Sequence, residues 1–353
     1  MHPRLRRAPS AARARHRARG ALLALAWLFT GAASAQWHTH AWTVMTTRAF
    51  VEFRVPEGAS ADAITQSVVD EFARINAVFS PWLESSELAR VNRDAFAGAV
   101  PVSAEMFALF ATAGDYTRLT AGAFDASFAA AGRLYDYRAG IAPGDAQLRA
   151  ALPGVGWRHV QLDAAARSVR YLHADTRVDF GGIAKGHAID RAVALLRAQG
   201  VAHAWVALGG DSFALGERDG RPWQIGIRHP RQAGAAPLMI PASDLAVSTS
   251  GDYERFFERD GERVHHILAP ATGKPARGLV SVTILADSST RADALSTGVF
   301  VLGRERGLQL VNRLGDVSAI VIDDHGKVHY SDDLEPAAPS SPPSAAPAPS
   351  APR

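Results

Sequence analysis

The stretch from Arg177 to Asp190 (Arg-Val-Asp-Phe-Gly-Gly-Ile-Ala-Lys-Gly-His-Ala-Ile-Asp) constrains this chain more than any other. It reads as a short strand at Val178 and Phe180, a glycine turn at Gly181 and Gly182, and a helix from Ala184. Ala188, Ile189, Ala192, Val193, Leu195 and Leu196 recur at helical spacing, and Gly200 stops the helix. The paired glycines let the backbone approach a ligand closely. A turn feeding a helix N-terminus leaves amide N–H groups free, and these suit phosphate. Lys185 adds a mobile positive charge. Glycines at 181, 182 and 186 match neither Gly-x-Gly-x-x-Gly nor a P-loop, since His187 follows Gly186. On spacing alone, a plain strand–helix connection and a phosphate cradle both fit.

The two ends of the chain differ in character from the middle. Residues 1–35 read as a secretory signal peptide. Seven arginines lie between Arg4 and Arg19, an apolar run covers Ala21 to Ala32, and Ala33-Ser-Ala35 fits a cleavage site. The run is short for a bilayer span, although a retained N-terminal anchor is the competing reading. Arg6-Arg7 is a weak twin-arginine hint. Removing the segment leaves 31 basic side chains against 35 acidic ones. The basic balance of the full chain therefore belongs to the leader, and nucleic-acid binding loses its support. The chain has no cysteine, which excludes disulfides, thiolate metal sites and a cysteine nucleophile. Export without cysteine suggests a soluble periplasmic protein with no membrane span after cleavage. Residues 335–353 are Pro/Ala/Ser-rich and are expected to be a disordered tail.

Between the ends, helices alternate with runs of hairpins. Trp42 to Val55 reads as a strand. Ala61 to Phe79 is a helix broken by Ser80-Pro81, and residues 82–92 form a loop with a helical turn. Ser103 caps a helix to about Leu119. Residues 122–125 are a loop, and 140–156 a connection with one helical turn. Hairpins follow at 157–172, then strands at 203–208, 223–227, 238–240 and 245–248. Segments 251–257 and 264–268 flank the turn at Asp260-Gly261. A strand at Leu279–Leu285, two helices to Leu302 and over Glu305–Leu314, and a last hairpin complete the order. This predicts an α+β fold with mixed, largely antiparallel sheets and packed helices, as one domain over residues 36–334.

Polar residues gather again at Ser248 to Asp252, His265 to Gly273 and Arg291 to Thr297. Asp293 and Thr297 are four apart at a helix start and share a face. With backbone and phosphate oxygens they would suit Mg²⁺; alternatively Asp293 only complements the helix N-terminus. His265 and His266 also read as solvated strand residues. They make a poor zinc pair, because adjacent strand residues point to opposite faces.

Taken in order, these segments resemble the ApbE-like FAD:protein FMN transferase family over roughly residues 42–330. The matching motifs are Met45-Thr-Thr47, Ser86 to Asn92, Gly122 to Asp125, Asp179 to Gly186, Gly209 to Asp211, Ser248 to Gly251, His266 to Gly273 and Ala292 to Thr297. The resemblance implies an enzyme that takes FAD and Mg²⁺, moves FMN onto a threonine of an acceptor redox protein, and releases AMP. At the matching positions Met45 and Trp82 would flank the flavin, and Ala123, Phe124 and Asp125 would line the dinucleotide site. Asp179, Lys185 and Leu268 would hold FAD. The Gly182 carbonyl, Asp293 and Thr297 would bind the metal with Ser296 at its edge, and His266 would be the general base.

Two positions depart from the family pattern. Ala269 stands where the family has an acid, which bears on how His266 or the metal is oriented. Thr46 stands where it has glycine, which would tighten the flavin edge. Two other readings remain, a metal-dependent FAD pyrophosphatase and a non-catalytic FAD carrier.

Overall fold

The computed structural model describes residues 36–227, 230–231 and 238–334. The expected signal peptide and Pro/Ala/Ser tail lie outside the described residues. Trp42 to Val55 is not one strand. Strands β1 (Trp37–Val44) and β2 (Thr47–Arg54) form a hairpin in full register, with Val44 opposite Thr47. Its two turn residues, Met45 and Thr46, have φ of 49° and 60°. Asn-Gly or Gly-Gly normally signals such a turn; here neither residue does, so the alternating pattern runs through it unmarked.

Helix α1 (Ala61–Phe79) follows, capped by the Ser60 hydroxyl on the Ala63 N–H. Then come α2 (Glu87–Asp94), β3 (Val100–Pro101) and α3 (Ala104–Leu119), whose cap is Ser103 as predicted. A 3₁₀ turn at Ala126–Phe128 leads to α4 (Ala129–Gly132), α5 (Asp145–Ala151), and the hairpin β4 (Val160–Asp163) and β5 (Ser168–Tyr171). Helix α6 (Ala184–Ala198) precedes β6 (Ala204–Leu208), β7 (Asp211–Leu215), β8 (Trp223–Ile227), β9 (Leu238–Ala242) and β10 (Leu245–Gly251). Strand β7 has no counterpart in the sequence reading. The predicted hairpin is β11 (Phe256–Arg259) and β12 (Glu262–His265), and β13 (Leu279–Ala286), α7 (Ser289–Leu302), α8 (Arg304–Leu314), β14 (Ser318–Asp323) and β15 (Val328–Tyr330) complete the chain.

Eight strands make the main sheet in the order β1-β2-β6-β7-β10-β13-β14-β15. Every strand pairing among the described residues is antiparallel. All eight residues of β13 are buried, as expected of a strand covered on both faces. On one face Ala246, Val282, Ile284 and Val321 pack with the apolar stripes of α1, α6 and α7. On the other, Val247, Leu285 and Ile320 meet Ile225 and Ile240 of the β8–β9 hairpin. The alternation of these two sets is the period-2 consequence of the pleat.

Among the described residues, the predicted strand at Val178 and Phe180 joins no sheet. The Asn92 side chain replaces a neighbouring strand. Its amide donates to the Val178 carbonyl and its oxygen accepts the Val178 N–H, both at 2.8 Å. Both groups of Val178 are thereby satisfied inside the core without a ladder.

Helices α6 and α7 touch at backbone distance. A Cβ on Gly186 would lie 2.2 Å from the Ser289 carbonyl oxygen. Asp190 then accepts the Ser289 and Thr290 N–H groups at 2.7 and 2.9 Å, so a side chain of α6 caps the start of α7. Gly186→Ala should therefore destabilise the protein by about 2 kcal/mol or more despite the better helix propensity of alanine. Urea denaturation checks this, and an unchanged midpoint would mean that the helices separate freely.

Candidate functional site

The glycine turn is held from two sides. Asp179 donates its N–H to the Ala126 carbonyl at 2.9 Å, tying the turn to the loop that carries Ala123, Phe124 and Asp125. In that loop Phe124 donates its N–H to the Thr120 hydroxyl at 2.9 Å. Asp125 accepts the Ser127 N–H and hydroxyl on one oxygen and the Trp157 N–H on the other. Its carboxylate is thus engaged within the protein, and what it does locally is hold Phe124 in place. Gly182 crosses directly above α7: a Cβ there would come within 3.0 Å of the Thr297 hydroxyl and 3.3 Å of the Phe124 ring.

The amides expected to await phosphate are partly taken. The Gly181 N–H donates to the Asp179 carboxylate at 2.8 Å, and the Gly186 N–H to Asp293 at 3.0 Å. The helix start is thus complemented by the protein's own acids.

Lys185 is the hub. Its ammonium pairs closely with Asp211 and lies 3.2 and 3.3 Å from the two Asp293 oxygens. Asp211 and Asp293 are both 2% exposed. Burial works against the Lys185 charge, but the two carboxylates outweigh it and hold its pKa above normal. Burial, with Asp211 nearby, pushes the Asp293 pKa up against the pull of Lys185.

A line of hydroxyls joins this pair to the rest of α7. Ser248 donates to Asp211 at 2.5 Å and lies 3.0 Å from the Ser296 hydroxyl. Ser250 is 2.8 Å from Ser296 and 3.5 Å from Thr297, while Ser296 donates to the Asp293 carbonyl at 3.0 Å. The structure thus brings Gly182, Lys185, Asp293, Ser296, Thr297 and Phe124 together.

The two adjacent histidines have different surroundings, and neither is simply solvated. His265 is 4% exposed. Its Nε2 lies 2.8 Å from the Ala276 carbonyl, and its Nδ1 accepts the Ile267 N–H. His266 donates its backbone N–H to the Arg255 carbonyl at 3.1 Å, and its Nδ1 is buried without a hydrogen-bond partner. Burial, and secondarily the positive charge of Arg255, push its pKa down to about 3. The imidazole is therefore neutral.

The remaining predicted residues lie farther out in the fold. Met45 sits in the β1–β2 turn, packed at the margin of the main core. Trp82, in the loop between α1 and α2, is 74% exposed. The Leu268 side chain is buried in a satellite core with Ala131, Tyr135 and Leu148. The segment holding Ala269 is closed by its own backbone, since Ala269 donates to the Lys274 carbonyl and accepts from Thr272 and Gly273. Asp211, Ser248, Asp190 and Asn92 lie in the family motifs or at their edges, but the motifs do not disclose their roles. Each partner lies 26 to 100 residues away, and no local spacing signals it.

Known proteins resemble this chain in sequence and fold. The model of the ApbE family matches residues 43–321. The FAD:protein FMN transferase of Treponema pallidum is 38% identical over 283 residues, covering 75% of this chain and 78% of the relative. That of Vibrio cholerae is 30% identical, covering 85% and 92%. The crystal structure of the ApbE protein of Thermotoga maritima superposes with a TM-score of 0.78 at 31% identity, over 84% of this chain and 98% of that one. The flavin transferase ApbE of Vibrio cholerae gives 0.77 at 29% identity, over the same shares. With the motifs, the antiparallel sheet and the convergence of its polar residues on α6 and α7, the chain belongs to the ApbE family.

Proposed function

We propose that this protein transfers the FMN half of FAD to a threonine of an acceptor protein and releases AMP. The observation that carries the reading is the buried meeting of Lys185, Asp211 and Asp293 beneath the glycine turn. The names of the relatives, FAD:protein FMN transferase, support it.

The residues at α7 fit a Mg²⁺ ion. Asp293 and Thr297 are one helical turn apart, and Gly182 passes close to the Thr297 hydroxyl. Among the described residues no three histidine, aspartate or glutamate side chains form a metal-binding group. One carboxylate with hydroxyl and carbonyl oxygens is a sparse, hard set of the kind Mg²⁺ uses. Asp293, Thr297 and the Gly182 carbonyl would hold the ion, with Ser296 bracing the helix. When bound, Mg²⁺ supplies charge that neutralises the pyrophosphate.

The chain's own groups do the rest. Lys185, held by Asp211, keeps a fixed positive charge beside the dinucleotide site. Asp179 and the Phe124 loop shape that site, and Met45 and Trp82 would flank the flavin. The threonine oxygen forms a bond to the FMN phosphorus as the bond to AMP breaks. A neutral His266 accepts the threonine proton, since a hydroxyl is a weak nucleophile at neutral pH. No enzyme nucleophile is needed. The leader at residues 1–35 supports a periplasmic location, and the acceptor would then be an exported redox protein. Among the described residues no helix is long and apolar enough to cross a membrane.

AMP release from FAD tests the reading, measured with Mg²⁺, with and without an acceptor. AMP only with acceptor, and flavin fluorescence that stays on the denatured acceptor, is the expected result. AMP and free FMN without acceptor would make the protein a pyrophosphatase. His266→Ala should still bind FAD but lose transfer by about 100-fold or more. Asp293→Ala should abolish the response to Mg²⁺ together with activity, and an unaltered response would remove Asp293 from the metal site. A third expectation concerns pH. His266 has a folded pKa of about 3, below the roughly 6.5 of a free imidazole. Between these values the unfolded chain binds a proton that the folded chain refuses, so stability falls as pH falls through this window. His266→Asn should shrink that decline relative to the parent protein in urea titrations from about pH 7 to about pH 4. Equal declines would mean that the imidazole is not held neutral.

A further inference from the structure

Arg255 lies between three parts of the site and was assigned no role by sequence or family pattern. Its backbone carbonyl accepts the His266 N–H at 3.1 Å. Its guanidinium donates to the Thr46 hydroxyl at 2.7 Å, in the same two-residue turn as Met45. Its charge also lowers the pKa of Asp179, against the burial that raises it, and that of His266. The side chain therefore bridges the rim at 45–46 to the surroundings of both residues.

Unlike the other cations near this site, Arg255 makes no ion pair among the described residues. The other cation at this site, Lys185, is neutralised by Asp211 and Asp293. The neighbouring Arg231 and Arg263 both pair with Asp252. Among the described residues Arg255 has one side-chain partner, a neutral hydroxyl. That partner stands on a strained support: Thr46 has φ of 60°, a left-handed conformation that favours glycine. A guanidinium offers five donors in a planar fork that matches phosphate oxygens two at a time, and one hydroxyl satisfies few of them.

We infer that Arg255 is a phosphate-binding residue of this site, parked on Thr46 and free to turn onto the pyrophosphate of the dinucleotide beside His266. The inference rests on the reading of the protein as an FAD-using enzyme. It supplies the mobile, unneutralised cation that the Lys185 cluster lacks.

Binding of FAD and of riboflavin, which has no phosphate, separates the contributions. Both are followed by flavin fluorescence on the full protein. Arg255→Ala should weaken FAD about tenfold or more and leave riboflavin within about twofold. Arg255→Lys should fall between, because it keeps the charge and loses the fork. Thr46→Gly should bind FAD as well as the parent or better, since the guanidinium is released and the turn is relaxed. ADP, which carries the pyrophosphate without flavin, should compete less well against the alanine variant. Equal loss of FAD and riboflavin in Arg255→Ala would overturn the inference and make Arg255 a brace for the 45–46 turn. So would a loss in Thr46→Gly as large as that in Arg255→Ala, or no FAD binding by the parent. The transferase reading fails separately: a parent that binds FAD but releases no AMP with acceptor sinks that reading, while the FAD–riboflavin contrast still decides Arg255.

Discussion

Everything at this site depends on one partly buried ammonium shared by two buried carboxylates. Lys185 reaches from α6 to Asp211 on β7 and Asp293 on α7. Bringing these charges out of water costs several kcal/mol each. The recovery is incomplete, because one positive charge faces two negative ones. Burial first, and the leftover negative charge of Asp211 second, raise the Asp293 pKa. A purely structural core would be better served by apolar packing. The cluster makes sense as a preorganised electrostatic device, in which Ser248 and the Gly186 amide hold the two carboxylates and Ser296 bonds the Asp293 backbone carbonyl.

Surrounding elements serve that cluster by satisfying backbone groups where ladders are missing. Asn92 does this for Val178, and Asp125 does it for Ser127 and Trp157. The glycine turn and the Phe124 loop are then joined through Asp179 and Ala126. Farther back, Arg74 bridges Glu71 and Glu105. His187, two residues past Lys185, lies 2.9 Å from the same Glu105. The Arg74 hydrogen bonds, together with His187 and against partial burial, hold the Glu105 carboxyl down at about 2. Three helices, α1, α3 and α6, are thereby linked at the surface edge of the core.

Long periodic elements were legible in the sequence, because their signal is local. Helices α1 and α3 follow from apolar spacing, α3 also from Ser103 at its start, and β13 follows from its run of apolar and β-branched residues. Features that depend on distant partners were not legible. The β1–β2 turn has no glycine to announce it, and β7 is a short strand hidden behind Gly209-Gly210. Val178 looks like a strand residue, but its partner is a side chain 86 positions earlier. The motifs located Lys185, Asp293 and Thr297. They did not indicate that Asp211 shares the lysine, or that Gly186 is needed for contact between helices and not for a ligand.

The contact at Gly186, closed by Asp190, welds α6 and α7 into a single body. Lys185 rides on one helix and Asp293 on the other, so their spacing cannot change unless the weld opens. Accommodation of an incoming protein chain must then come from the rim. The 45–46 turn and the loop bearing the exposed Trp82 sit outside the weld. Breadth of acceptor choice would be tuned there, by residues that touch none of the buried charges.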